Sequence, residues 1–314
     1  MFGKQLVTEM IDRSAENGAD RRRFLQTAGL AGMGVVGATV LPGMTGTASA
    51  ATVSPQQAAA EAPSDAAVLN FALNLEYLEA EFYSHAVFGH GLADKLTTGS
   101  GDRGKVVGGR KVKFSSKRVE RYANEIAWDE VNHVEFIRSA LGKAKVSRPS
   151  IDLKSSFTAA ARAAGLINAK QTFDPYANEN NFLLAAFLFE DVGVTAYKGA
   201  APLITNKTYL EAAAGIMAIE AYHAATVRTT LFEKGLFAQA KAISDARDSL
   251  DGKVDLDRGI FLRGKANIAP ADKHGIAYSR TPGQVLNIVY LNPKPVKRGG
   301  FFPAGVNGEV NTSA

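Results

Sequence analysis

Glu130-Val131-Asn132-His133 and Glu220-Ala221-Tyr222-His223 are the stretches on which the reading of this chain turns. Each is a Glu-x-x-His. At about 100° per residue, positions i and i+3 lie about 60° apart on one helical face, so each carboxylate and its imidazole point into the same space. Upstream of the first stands Glu76-Tyr77-Leu78-Glu79-Ala80-Glu81-Phe82-Tyr83, and upstream of the second Glu190, followed seven residues later by Tyr197. The order Glu, Glu-x-x-His, Glu, Glu-x-x-His therefore repeats along the chain. An internal repeat of this kind calls for a helix under each of its four parts.

Working outward, each part does sit in a helical pattern. Ser64 can cap a helix running to about Phe88, with Val68, Phe71, Ala72, Leu75, Leu78 and Phe82 on one stripe. Ser115 or Ser116 starts a second helix that closes at Leu141-Gly142. Asp174-Pro175 reads as the start of a third, whose apolar run ends before Pro202, and Asn206 caps a fourth that reaches Gly235. Residues 89–115 carry seven glycines and no apolar period, and so read as a long loop. A second long connection, about 143–173, permits a non-sequential path between the helices. Four long helices without strand alternation predict an all-α four-helix bundle over residues 64–235. Beyond it, a 236–314 extension offers one more helix from Phe237 to Leu250. Thr281-Pro282 then caps a short one, Gly283 to Leu291, ahead of the aromatic, turn-rich Gly299–Gly305. Such a tail suits packing across the bundle or against a neighbouring chain, and a homo-oligomer stays open.

The chemistry follows from the donor types. The chain has no cysteine, which excludes thiolate metal sites, thiol nucleophiles and iron–sulfur clusters. Any metal must be held by carboxylate and imidazole, and there are 5 histidines in 314 residues. Four Glu and two His suit two divalent ions, each with one imidazole and with carboxylates shared between them. Glu190 lies within Leu183-Leu184-Ala185-Ala186-Phe187-Leu188-Phe189, where a carboxylate with no partner is expensive. Glu79, one turn beyond Glu76, is an alternative or additional ligand. Tyr83 lies two turns below Glu76 and Tyr197 two turns below Glu190, as core aromatics or as hydrogen-bond donors to a ligand carboxylate. Trp128 reads as core, His85 and His90 as structural or solvent-facing, and the basic run over residues 103–121 as a solvated loop and helix start. The alternative for that run is an anionic surface or substrate funnel. A formal net charge of +5 is too mild for a nucleic-acid binder.

The first fifty residues read as an address. Asp20-Arg21-Arg22-Arg23-Phe24-Leu25 resembles a twin-arginine export signal, followed by a short apolar run and the small-residue site Ala48-Ser49-Ala50. Cleavage is expected after Ala50, with 51–63 as a linker. The partner is then the twin-arginine export machinery, and the destination is the periplasm or the exterior, away from nucleic acid.

These motifs resemble the ferritin-like superfamily of diiron and dimanganese carboxylate bundles, which includes rubrerythrins, ferritins and manganese catalases. The stretches 69–83, 182–193 and Thr281-Pro282-Gly283-Gln284-Val285-Leu286-Asn287-Ile288-Val289-Tyr290 are similar to its desiccation- and stress-related members. The resemblance implies metal ligands at Glu76, Glu130, His133, Glu190, Glu220 and His223, and two Fe or Mn ions. It further implies redox protection acting on peroxide, oxygen or ferrous iron. A stress scaffold with a structural or vestigial site is the alternative.

Overall fold

The computed structural model describes residues 62–314, so the export signal and nearly all of the linker lie outside the described residues. Helix α1 is Asp65–Phe88, α2 Lys117–Leu141, α3 Ser155–Ala163, α4 Glu179–Ala200, α5 Lys207–Glu233, α6 Phe237–Asp251 and α7 Pro282–Val289. The four long ones, α1, α2, α4 and α5, form the bundle. α1 packs chiefly on α2, and α4 chiefly on α5. No described helix is long and apolar enough to cross a membrane.

The caps explain where three of the four begin. Ser64 accepts from Ala67 N, Ser116 from Val119 N, and Asn206 from the amides of Thr208 and Tyr209. Gly89 ends α1 at φ 82°, a left-handed conformation that costs glycine nothing. The third long helix departs from expectation. Asp174-Pro175 does not cap it; Asp174 accepts from Tyr176 N at 2.8 Å and pairs with Arg110, making a turn, and Asn178 caps α4 by accepting from Asn181 N. An aspartate before proline can satisfy its own turn as readily as a helix.

The two long connections are not independent. Strand β1 (Val106–Val107) of the first pairs in parallel with β2 (Ile151–Asp152) of the second. Arg148 reaches back to Glu81 on α1, and Arg138 of α2 holds Tyr77 and the carbonyls of Thr98 and Lys95. The second connection also contains α3, which its Ala/Ser-rich sequence did not advertise. Its first turn is held by Asp152, which accepts from Lys154 N and Ser155 N at 2.7 and 2.8 Å. Phe157 of α3 enters a buried aromatic group with Phe82, Phe189 and Phe301. Each ring removed from water there contributes roughly 2–3 kcal/mol.

The extension packs on its own bundle. Phe301 and Phe302 are buried, and α7 opens with a reciprocal capping box between Thr281 and Gln284. Asn74, fully buried in α1, donates to Asn307 O at 2.8 Å and accepts from Asn307 N at 3.0 Å. A hairpin of β3 (Phe261–Leu262) and β4 (Lys265–Ala266) lies between α6 and α7 in sequence. Trp128 is not core. It is 58% exposed and tilts against Phe88 with ring centres 5.0 Å apart. The basic run spreads over separate ion pairs, Arg103–Asp94, Arg110–Asp174, Lys117–Glu120 and Arg118–Glu233.

Candidate metal centre

The bundle brings Glu76, Glu130, His133, Glu190, Glu220 and His223 to one place, all buried. They fall into two overlapping groups. Glu76, Glu130, His133 and Glu220 can each aim one ligand atom within 4.8 Å of the others, as can Glu130, Glu190 and His223. Glu130 belongs to both. Its two oxygens face different imidazoles: Oε2 lies 3.6 Å from His133 Nδ1 and Oε1 lies 3.2 Å from His223 Nδ1. Glu76 Oε2 lies 3.2 Å from His133 Nδ1, and Glu190 Oε2 lies 3.7 Å from His223 Nδ1.

Helix direction produces this arrangement. Asp129 and Glu130 of α2 meet His223 of α5, while His133 of α2 meets Glu220, so α2 and α5 run antiparallel past each other. The same holds for α1 and α4, with a consequence for the tyrosines. Tyr83 donates to Glu190, and Tyr197 donates to Glu76. Each tyrosine therefore serves the other helix's glutamate, not the one two turns above it on its own. Seven residues span about 10.5 Å of helix axis, too far for a phenol to reach back, whereas an antiparallel neighbour puts its own carboxylate alongside. Burial, then the adjacent Glu190 or Glu76 charge, pushes both phenols well above their usual range, so each keeps its proton and remains a donor.

Asp129 is a member of the site that the motif reading passed over, although it directly precedes Glu130. Its Oδ2 lies 3.0 Å from His223 Nε2. A neutral His223 that donates Nε2–H to Asp129 turns its Nδ1 lone pair toward the carboxylates, as a metal ligand needs. Glu79 stands apart from both ligand groups. It is buried close to Gly193, and a Cβ on Gly193 would lie 2.3 Å from Glu220 Oε2 and 3.6 Å from Glu79 Oε1. Neither His85 nor His90 reaches the cluster. His85 lies 3.6 Å from Glu81 Oε2, and His90 is exposed.

The electrostatics test whether cations fit. Among the described residues, both oxygens of Glu130 and Glu220, Glu76 Oε2, Glu190 Oε2, and Nδ1 of His133 and His223 are buried without a hydrogen-bond partner. Orphaned acceptors are rare in folded proteins, and eight converging on one point are the donor set of a metal site. Without ions, protons take the cations' place. Burial opposes charge on His133, but Glu76 and Glu130 outweigh it and raise the imidazole to about 11; His223 rises to about 10 against Glu190, Asp129 and Glu130. Burial pushes Glu190 up to about 8 and lifts Glu79 and Glu220 well above the carboxylate range. Burial also presses Glu130 upward, but the two imidazoles overcome it and hold it at about 2. The protons on His133, His223, Glu190 and Glu220 are ones that bound ions would displace. The donor set fits a metal site.

Comparison with known proteins agrees with this geometry. The family model for the ferritin-like domain matches residues 64–233. This chain belongs to the ferritin-like family. It is 31% identical over 268 residues to the desiccation-related protein PCC13-62 of Craterostigma plantagineum, covering 78% of this chain and 84% of that protein. It is 27% identical, over the same shares, to the ferritin-like catalase Nec2 of Nesocodon mauritianus. No solved structure matches it.

Proposed function

We propose that this ferritin-like protein is an exported dinuclear Fe or Mn protein that removes hydrogen peroxide under oxidative or desiccation stress. The observation that carries the reading is Glu130, whose two oxygens face two different imidazoles and so can bridge a pair of ions. Glu76, His133 and Glu220 would complete one ion's shell, and Glu190 with His223 the other's. Carboxylate and imidazole donors accept both Fe and Mn. When bound, two redox-active ions supply storage for two electrons, the balance by which two H2O2 become O2 and two H2O. A relative named as a ferritin-like catalase supports peroxide as the substrate, and one named as desiccation-related supports the stress setting.

The rest is the work of the protein's own groups. Tyr83 and Tyr197 fix the carboxylates of Glu190 and Glu76, so these cannot swing away when charge at the centre changes. Asp129 sets the His223 tautomer. Glu79, buried beside Glu220 and pushed upward by burial and by the neighbouring carboxylates, holds a proton within the site without being needed as a ligand. The Arg21-Arg22-Arg23 signal supports folding and metal loading before export.

The test is metal content together with oxygen release. Mature protein supplied with Fe or Mn is expected to hold about two ions per chain and to evolve O2 from H2O2. A Glu130→Ala/His133→Ala variant is expected to do neither. Full metal content with no O2 release would sink the catalase reading.

A further inference from the structure

A small, partly open apolar pocket lies beside Glu79 and Gly193, next to the carboxylate cluster. Leu75 of α1, Leu188 and Val192 of α4, Ile288 and Val289 of α7, and Phe301 are among its walls, every one of them nine-tenths or more buried. One carboxylate interrupts this apolar lining, that of Glu79. The cavity measures about 20 Å³ to the centre of a water-sized sphere, against the roughly 10–15 Å³ that a single water needs. Gly193 forms the inner wall, and its missing side chain matters. Where its Cβ would stand, Glu220 Oε2 lies at 2.3 Å and Glu79 Oε1 at 3.6 Å, so the cavity and the cluster meet at the bare α4 backbone of Gly193. The outer wall is supplied by the extension, through α7 and Phe301.

We propose that this cavity is the passage by which substrate reaches the metal centre, and that the extension makes it a filter passing small uncharged molecules while excluding hydrated ions and bulky hydroperoxides. The proposal rests on the peroxide reading above and names which peroxides qualify. An apolar wall one molecule wide strips a cation of its water with nothing in return, which is prohibitive. Hydrogen peroxide loses little there, because Glu79 at the inner end offers it a hydrogen bond. An alkyl hydroperoxide is too large unless Val289 is cut back. The six residues of the centre take no part in the sorting; Ile288, Val289 and Phe301 do it, from a segment outside the bundle.

The experiment uses the full mature protein loaded anaerobically with ferrous iron, and nitric oxide as a small neutral probe whose binding is followed optically. Val289→Trp fills the passage and is expected to slow nitric oxide association about tenfold or more, equivalent to ~1.4 kcal/mol of added barrier, with iron content unchanged. Val289→Ala is expected to keep hydrogen peroxide turnover and to gain turnover of tert-butyl hydroperoxide, which the wild type refuses. Xenon-pressurised crystals of the wild type should show the gas between Leu75, Leu188 and Val289, and those of Val289→Trp should not. Nitric oxide binding as fast in Val289→Trp as in the wild type, at equal iron content, overturns the passage while leaving the dinuclear reading intact. A wild type that takes up neither iron nor manganese removes that reading, and the passage loses its destination. Should Val289→Trp fail to fold, Val289→Ala decides: no gain on the larger peroxide and no xenon in the wild type overturn the proposal.

Discussion

Two buried ionic regions lie back to back across α4, and they are built on opposite principles. Glu190 faces the carboxylate cluster, and Asp191, the next residue, faces outward to Arg228 and Arg247 at 2.7 and 2.8 Å. From there a lattice of charge continues: Arg247 to Asp257 at 2.7 Å, Arg280 to Asp257 at 2.9 Å and to Asp251 at 2.6 Å. The three arginines are at most 1% exposed, and three aspartates answer them. Further guanidinium hydrogens reach carbonyls of Arg258, Gly259, Asn267 and Leu188. This region brings its own counter-ions and ties α4, α5 and α6 to the segment before α7. The cluster on the other side of the helix has five glutamates and two histidines and leaves eight polar atoms unpartnered. Burial of charge is the same in both; what differs is whether the protein itself supplies enough of the opposite sign, three arginines for three aspartates against two imidazoles for five glutamates. A lattice that does so is a fastening, and a cluster that does not is a receptacle.

The contrast can be broken most sharply by removing one charge from each side. Arg247→Ala takes one of two guanidinium partners from both Asp191 and Asp257 and is expected to cost about 3 kcal/mol in denaturant unfolding, whether or not metal is present. Metal should act on the other side alone. At a free ion concentration of about 1,000 times the dissociation constant, loading is expected to add about 4 kcal/mol over chelated protein, read as a shift in the melting midpoint. That gain should vanish in Glu130→Ala/His133→Ala.

A pH series sharpens the same point. Glu190 keeps its proton to about 8 in the fold but loses it near 4.5 when unfolded, so between those values the folded chain binds more protons. His133 and His223, at about 11 and 10, extend the same sign above 6.5. Chelated protein should therefore lose stability as pH rises from about 5 to 8. Loaded protein should not, because the ions have replaced those protons; a falling curve in both forms would contradict the assignment. Smaller again, Asp129→Asn should weaken metal binding about 10–100-fold by unfixing the His223 tautomer, measured by chelator competition. Smallest is Trp128→Ala, 58% exposed, expected within about 0.5 kcal/mol of wild type.

How much of this could be read beforehand depended on range. The four long helices announce themselves through periodicity and through Ser64, Ser116 and Asn206, all local signals. The six clustered donors were legible because a helix puts i and i+3 on one face, and the motif repeats. The tyrosine exchange was not, since which glutamate a phenol meets depends on the direction of a neighbouring helix. The arginine lattice left no trace either. Arg228, Arg247 and Arg280 each sit in ordinary polar surroundings along the chain, and only tertiary packing makes them partners of Asp191, Asp251 and Asp257. Trp128 misled because a single large aromatic is usually core, while here its helix turns that face to water.

The pairing of Asn74 with Asn307 also has a meaning in time. The two residues are 233 positions apart, yet each completes the other's hydrogen bonds inside the first helix's packing. A growing chain presents α1 long before its partner exists, so during synthesis Asn74 keeps only its bond to Asn70 O however well the helices have assembled. Closure by so distant a contact is slow, because the loop must be gathered before the bond rewards it. The bundle is thus latched at Asn74 only after its late residues have been made.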